Sequence, residues 1–263
     1  MKRRSLVTAL MAAVVIGTQI LPVAPGLARG KPPKVVASTT WVAAFARAAG
    51  ATDVTVIAPA DFAHPPDYDP RPSDLVAVAS ADIVLMAPFD GFAQRLRDAS
   101  GSKAKVDRVD LENTPEKIRS EVTRLARLLG TEPAAEAFLK RFDAEYARLS
   151  AEVKAKIGAN RPVAVAHRFM AYWASQFAGL EVAGIYGPKP LAPAELADLV
   201  AKKPGVVFRN GHVERPEGPS AGRAIADNAK ARDVMIINFP GASQDLLDVF
   251  RENAKRIIAV LGK

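Results

Sequence analysis

Residues 131–158 read TEPAAEAFLKRFDAEYARLSAEVKAKIG, and the rest of the chain is organised around this stretch. Thr131 and Pro133 are start signals, because a first-turn proline loses an N–H that has no helical partner anyway. No further glycine or proline interrupts the run until Gly158. Phe138, Phe142, Tyr146, Leu149, Val153 and Ile157 recur every three or four residues, with charged residues such as Lys140, Asp143 and Glu152 between them. That period predicts one amphipathic helix over 131–158, roughly 37 Å long at 1.5 Å per residue. A coiled-coil seam would need a longer heptad run and fewer aromatic residues. The helix is therefore read as a spine joining two halves of the chain.

On each side of it, short β-branched runs alternate with helical stretches. Before the spine they are Lys34 to Ala37, Asp53 to Ala58, Asp82 to Ala87 and Val106 to Leu111. After it come Pro162 to Ala166, Glu181 to Ile185, Gly205 to Phe208 and Asp233 to Asn238. Continuous Val/Ile runs joined by helices indicate parallel strands covered on both faces. The expected architecture is α/β, with two lobes that each hold a four-stranded parallel sheet flanked by helices. Residues 29–130 are expected to form the N-terminal lobe, 131–158 the connecting helix and 159–263 the C-terminal lobe.

The 263 residues are 49% hydrophobic and 24% charged, a balance that suits a globular chain rather than a disordered or multi-span one. No cysteine is present, which excludes disulfides, thiolate metal sites and a cysteine nucleophile. The basic residues behind the net charge of +8 are interleaved with acids along helices, without the basic and aromatic cluster of a nucleic-acid surface. Lys2, Arg3 and Arg4 precede an apolar run from Leu6 to Ile20, then small residues at Gly26-Leu27-Ala28. Residues 1–28 thus read as a cleaved signal peptide, placing the chain in a periplasm. The run is short for a membrane span, and no lipid-bearing cysteine follows it.

Ligands of parallel α/β sheets sit at the carboxyl ends of the strands. All three histidines of the chain fall there: His64 after the second run, His167 directly after Ala166, and His212 four residues after Phe208. One belongs to the first half and two to the second, so a cleft between lobes would bring imidazoles together. Imidazole suits zinc, copper, iron or nickel, and three such ligands with an oxygen donor complete a tetrahedral site. Asp67, Asp69 and Glu214 are the nearby carboxylates. The ring must be neutral to ligate, so affinity is expected to fall as the pH drops.

The stretch Pro66-Asp67-Tyr68-Asp69-Pro70-Arg71-Pro72-Ser73-Asp74 resembles the H-x-Y-E-P-x-P-x-D signature of the cluster A-I solute-binding proteins, the zinc, manganese or iron receptors of bacterial ABC importers. The segment from Val165 through His167 to Trp173, followed by Gly179-Leu180, is similar to the second-lobe histidine segment of that family. The resemblance spans the mature chain and implies a two-lobed receptor that moves little around its spine. It also implies a divalent metal as cargo, an ABC permease in the inner membrane as partner, and a monomer. Its departures are local. The first histidine of the signature is replaced by Pro66, with His64 two residues earlier. Glu112-Asn113-Thr114-Pro115 stands where the family has N-P-H-x-W, and Asn238-Phe239-Pro240-Gly241 where it has a late acidic ligand. The expected site is accordingly a sparser one of His64, His167 and His212, with Asp67, Glu214 or water as fourth donor. Zn²⁺ is preferred over Mn²⁺, which favours more oxygen donors.

Two other readings compete. A metal chaperone, or a receptor for a chelate or small anion, would use the same cleft, the anion being held by Arg168, Arg209, Tyr68 and Trp173. An enzyme is not expected, because no nucleophile elbow, phosphate loop, H-E-x-x-H or dinucleotide fingerprint occurs. For Arg168 and Arg209 a surface ion pair is the plainer expectation. Trp41 and Phe45 are read as core, with Trp41 bordering the cleft, and Tyr172 and Trp173 as packing under the second lobe.

Overall fold

The computed structural model describes residues 31–60, 67–187, 189–214, 219–241 and 243–262. The signal-peptide segment 1–28 and His64 lie outside the described residues. The first half contains β1 (Lys34–Ala37), α1 (Thr40–Ala48), β2 (Asp53–Val56), α2 (Pro72–Ala79), β3 (Ile83–Met86), α3 (Gly91–Ala99) and β4 (Lys105–Arg108). Helices α4 (Pro115–Leu129) and α5 (Glu132–Ile157) follow. The second half contains β5 (Ala164–His167), β6 (Val182–Tyr186), α6 (Pro193–Ala201), β7 (Val206–Asn210), α7 (Ala221–Ala229), β8 (Arg232–Ile236) and α8 (Leu246–Leu261).

Each half forms one four-stranded parallel sheet, ordered β2-β1-β3-β4 in the first and β6-β5-β7-β8 in the second. The same order is thus used twice. It reverses direction between β1 and β3 in one sheet and between β5 and β7 in the other, and such switch points are where crevices open at the carboxyl ends of strands.

Burial explains the uninterrupted Val/Ile runs. Val35, Ala37, Ile83 and Leu85 face a core shared by both halves, whereas Val36, Val84 and Met86 face a separate cluster with Val78 of α2 and Phe92 of α3. In the second sheet Ala164, Ala166, Val206 and Phe208 join the shared core, while Val165 and Val207 pack against Leu199 of α6 and Ile225 of α7. Both faces of the central strands β1, β3, β5 and β7 are covered, which is why their runs are largely apolar, while the edge strands β2, β4 and β8 keep polar residues.

The spine is α5, 26 residues long. It follows α4 after Gly130, whose φ of 69° lets the chain turn in the left-handed conformation. Phe138, Phe142, Leu149, Val153 and Ile157 are buried on one stripe, packed against α4, α8 and α1. Phe142 and Tyr146 meet Phe250 of α8 edge-on, with ring centroids 5.3 and 5.7 Å apart.

Strand ends differ from expectation where pairing rather than composition sets them. β4 stops at Arg108, although Val109 and Leu111 are buried, because its ladder with β3 ends at Met86↔Arg108. β5 includes His167, paired with Tyr186, and β7 extends to Asn210, paired with Ile236. Among the described residues no helix is long and apolar enough to cross a membrane.

Candidate functional site

The two switch points form the walls of a cleft of about 760 Å³ between the halves of the chain. Thr39 and Trp41 after β1, Pro88 and Phe89 after β3, and Leu111 and Glu112 after β4 line it from the first half. Arg168 and Phe169 after β5, His212 and Val213 after β7, and Phe239 after β8 line it from the second. The wall is mostly apolar.

The floor is tied together by Asn238. Its side-chain oxygen accepts hydrogen bonds from the Tyr172 hydroxyl (2.7 Å) and the Trp173 indole (3.0 Å), and its side-chain nitrogen donates to the Phe169 carbonyl (3.4 Å). Its backbone N–H donates to His212 Nε2 at 2.8 Å. Its carbonyl accepts from the Asn113 side chain, whose own oxygen accepts from Trp41 Nε1 at 3.3 Å. Every polar group of Asn238 is therefore engaged. Trp173 starts a π-helical turn (Trp173–Phe177) and is fully buried, which accounts for its need of a partner for the indole N–H.

The expected metal set is not assembled as expected. Among the described residues, no three histidine, aspartate or glutamate side chains come together in a metal-holding group, although Asp67, His167, His212 and Glu214 are all described. His212 does reach the cleft, but its Nε2 lone pair is taken by the Asn238 N–H, and its ring stacks on Phe239 with centroids 3.5 Å apart. Burial, reinforced by the positive charge of Arg256, lowers its pKa from 6.5 to about 3. His212 is a neutral structural acceptor.

Glu214 is likewise withdrawn. One of its oxygens accepts from the Tyr186 hydroxyl at 2.6 Å, and the other from Arg209 Nε at 3.0 Å and Ser220 Oγ at 2.7 Å. Arg209 also binds Asp233 at 2.6 Å. Only 1% of Arg209 is exposed, so its ion pair is internal rather than on the surface, and its guanidinium does not reach out to hold an anion. Gly222 leaves the room this cluster needs, because a Cβ there would run into Tyr186, Arg209 and Glu214 together. Burial and the Glu214 charge push the Tyr186 hydroxyl pKa well above its ordinary value, so it stays a donor.

His167 is different. It is buried at the end of β5, its Nδ1 accepts from the Phe169 N–H at 3.3 Å, and its buried Nε2 has no hydrogen-bond partner. Burial lowers its pKa, against the opposing pull of Glu214. Its ring lies edge-on to Tyr186, with centroids 5.3 Å apart, and 5.3 Å from the Phe169 ring. Of the four groups considered for holding an anion, Tyr68 bonds Asp74 at 3.0 Å, while Trp173 and Arg209 are buried. Arg168 alone stands exposed on the cleft wall.

Residues 35–127 match the sequence family described as zinc-uptake complex component A, periplasmic (ZnuA). The chain is also similar in structure to the laminin-binding protein Lbp of Streptococcus pyogenes, with 19% identity, 88% of this chain and 100% of the other covered, and a TM-score of 0.63. A crystal structure of ZnuA matches at 18% identity, with 88% and 100% covered and a TM-score of 0.61. The solute-binding protein FpvC of Pseudomonas aeruginosa, crystallised with Ni²⁺, matches at 20% identity, with 87% and 95% covered and a TM-score of 0.64. The chain shares the fold of these proteins.

The departures from the sequence signature have a structural counterpart. Asn113 and Asn238 belong to the two segments that stand where the resemblance has its further ligand motifs, and the Asn113 side chain donates to the Asn238 carbonyl. No signal in the sequence paired these segments, because the acceptor is a main-chain carbonyl that any residue at 238 would carry.

Proposed function

We propose that the chain is the periplasmic substrate receptor of an ABC importer for a divalent metal, zinc before manganese, acting as a monomer that presents its cargo to an inner-membrane permease. The reading is supported above all by one observation: two sheets of identical strand order present their switch points to a common cleft. The donor that supports a metal site is His167, whose buried Nε2 lacks a hydrogen-bond partner among the described residues; His64 and Asp67, in the sequence between β2 and α2, are proposed to join it. His212 and Glu214 are left out because their lone pairs are used within the second lobe. A neutral imidazole is needed for ligation, so acid favours release.

The chain works by binding rather than turnover in this reading. Glu214, the base that a zinc hydrolase would require, is held by Arg209, Tyr186 and Ser220.

The test is elemental analysis and native mass spectrometry of the exported protein, recovered from the periplasm without chelators. Zinc is expected in near-stoichiometric amount, and in a smaller amount in His167→Ala. Protein recovered free of divalent metal from zinc-replete cells would overturn the reading.

A further inference from the structure

Phe89, Phe169 and Val213 are 53%, 51% and 48% exposed, and all three line the same cleft, one from the first lobe and two from the second. Together they make up most of the large hydrophobic side chains left exposed among the described residues, the others being Val76 and Ile185. Exposed apolar side chains lining one crevice gain when water is excluded from it. A bare divalent cation contributes nothing to that, since it seeks nitrogen and oxygen donors, and the Asn238 and His212 groups of this floor already serve one another. The cleft volume of about 760 Å³ is also far beyond the space of one ion, and it falls within the roughly 300–1,000 Å³ typical of pockets for small organic molecules.

The charges on the wall narrow the choice. On the first-half wall Asp110 is paired with Lys117 at 2.8 Å and Glu112 adds an exposed carboxylate, whereas the charge on the second-half wall is that of Arg168. Arg168 has no carboxylate partner among the described residues, and its guanidinium lies 5.9 Å from the centroid of the Phe169 ring. A planar guanidinium backed by an aromatic face suits a carboxylate, phosphonate or sulfonate carried on a flat apolar body.

We propose that the cleft takes a small organic anion with an aromatic body, its anionic group paired with Arg168 and its ring held against Phe89 and Phe169. The proposal rests on the receptor reading and names the form in which cargo is held. Two sources share this chemistry: a metal complex of such an anion, and the anion by itself.

The experiment is calorimetric titration of the chelator-treated mature chain with 8-hydroxyquinoline-5-sulfonate, with its zinc complex, and with zinc chloride alone. The aromatic sulfonate is expected to bind in at least one form. Arg168→Gln and Phe169→Ser, both exposed positions whose variants are checked for folding by circular dichroism, are each expected to weaken it by at least about tenfold. Preferential binding of the complex supports the proposal with a chelate as cargo; equal binding of both forms supports it with the anion as cargo and overturns the divalent metal as cargo. Zinc alone binding in a manner lost in His167→Ala, with no binding of either sulfonate form, overturns the proposal and leaves the receptor reading standing. Sulfonate binding indifferent to both Arg168 and Phe169 overturns the proposal too. If neither the ion nor the sulfonate binds, both readings fall.

Discussion

His212 shows how far a residue type can mislead about its own role. Its place after a parallel strand is what a ligand would occupy, yet its Nε2 accepts the Asn238 N–H and its ring is stacked on Phe239. Protonating that nitrogen would set two N–H groups against each other in a buried place. The folded pKa of about 3 lies below the unfolded value of 6.5, so between these two pH values the unfolded chain binds a proton that the folded chain does not. Stability from this group is therefore complete above the unfolded pKa and is lost as pH falls toward the folded one. Between pH 7 and pH 5 the loss is about 2 kcal/mol, with His167 acting in the same direction. Urea midpoints measured at both pH values test this: His212→Gln, which keeps a carbonyl able to accept from Asn238, is expected to remove most of the difference. An unchanged pH dependence in that variant would show that His212 is not the titrating group. The histidine's position was legible in the sequence, but the N–H that consumes its lone pair comes from a strand end 26 residues away.

At the scale of elements, α5 is the part most completely written in local pattern. Its apolar period, the proline in its first turn and the glycine after its end all agree with the observed Glu132–Ile157. Phe142 sits at the middle of its buried stripe, fully enclosed, between Phe138, Tyr146 and Phe250. Phe142→Ala is expected to cost about 3–5 kcal/mol, read as a lower urea midpoint at unchanged slope, because a cavity there opens between α5 and α8. Strand ends were less legible. Composition locates a buried run, but a strand continues only as far as its neighbour does, which is why His167 and Asn210 belong to strands and Leu111 does not. The cluster of Arg209, Glu214, Tyr186, Asp233 and Ser220 was equally hidden, since it is gathered from β6, β7, β8 and the start of α7. Removing one partner of such a cluster would leave a buried charge uncompensated, which makes its residues poor candidates for binding a departing cargo.

For the whole molecule, the decisive contact is the one that joins the lobes at the bottom of the cleft. Asn113 and Asn238 are bonded across 125 residues of sequence, and Trp41, Tyr172 and Trp173 complete the same network. Asn113→Ala is expected to cost about 1 kcal/mol, read as a lower urea midpoint, because it removes the side-chain donor to the Asn238 carbonyl. An unchanged midpoint in that variant would mean that the bridge does not form in solution. By itself the sequence determined the two α/β halves, the spine and the end of the sheets where a ligand belongs, because those follow from periodicity, turn residues and the burial of both sheet faces. Only the tertiary structure decided which polar groups remain available there. A lone pair can be counted as free only after every donor that folding brings to it is known, and in this chain those donors come from the opposite lobe or from neighbouring strands.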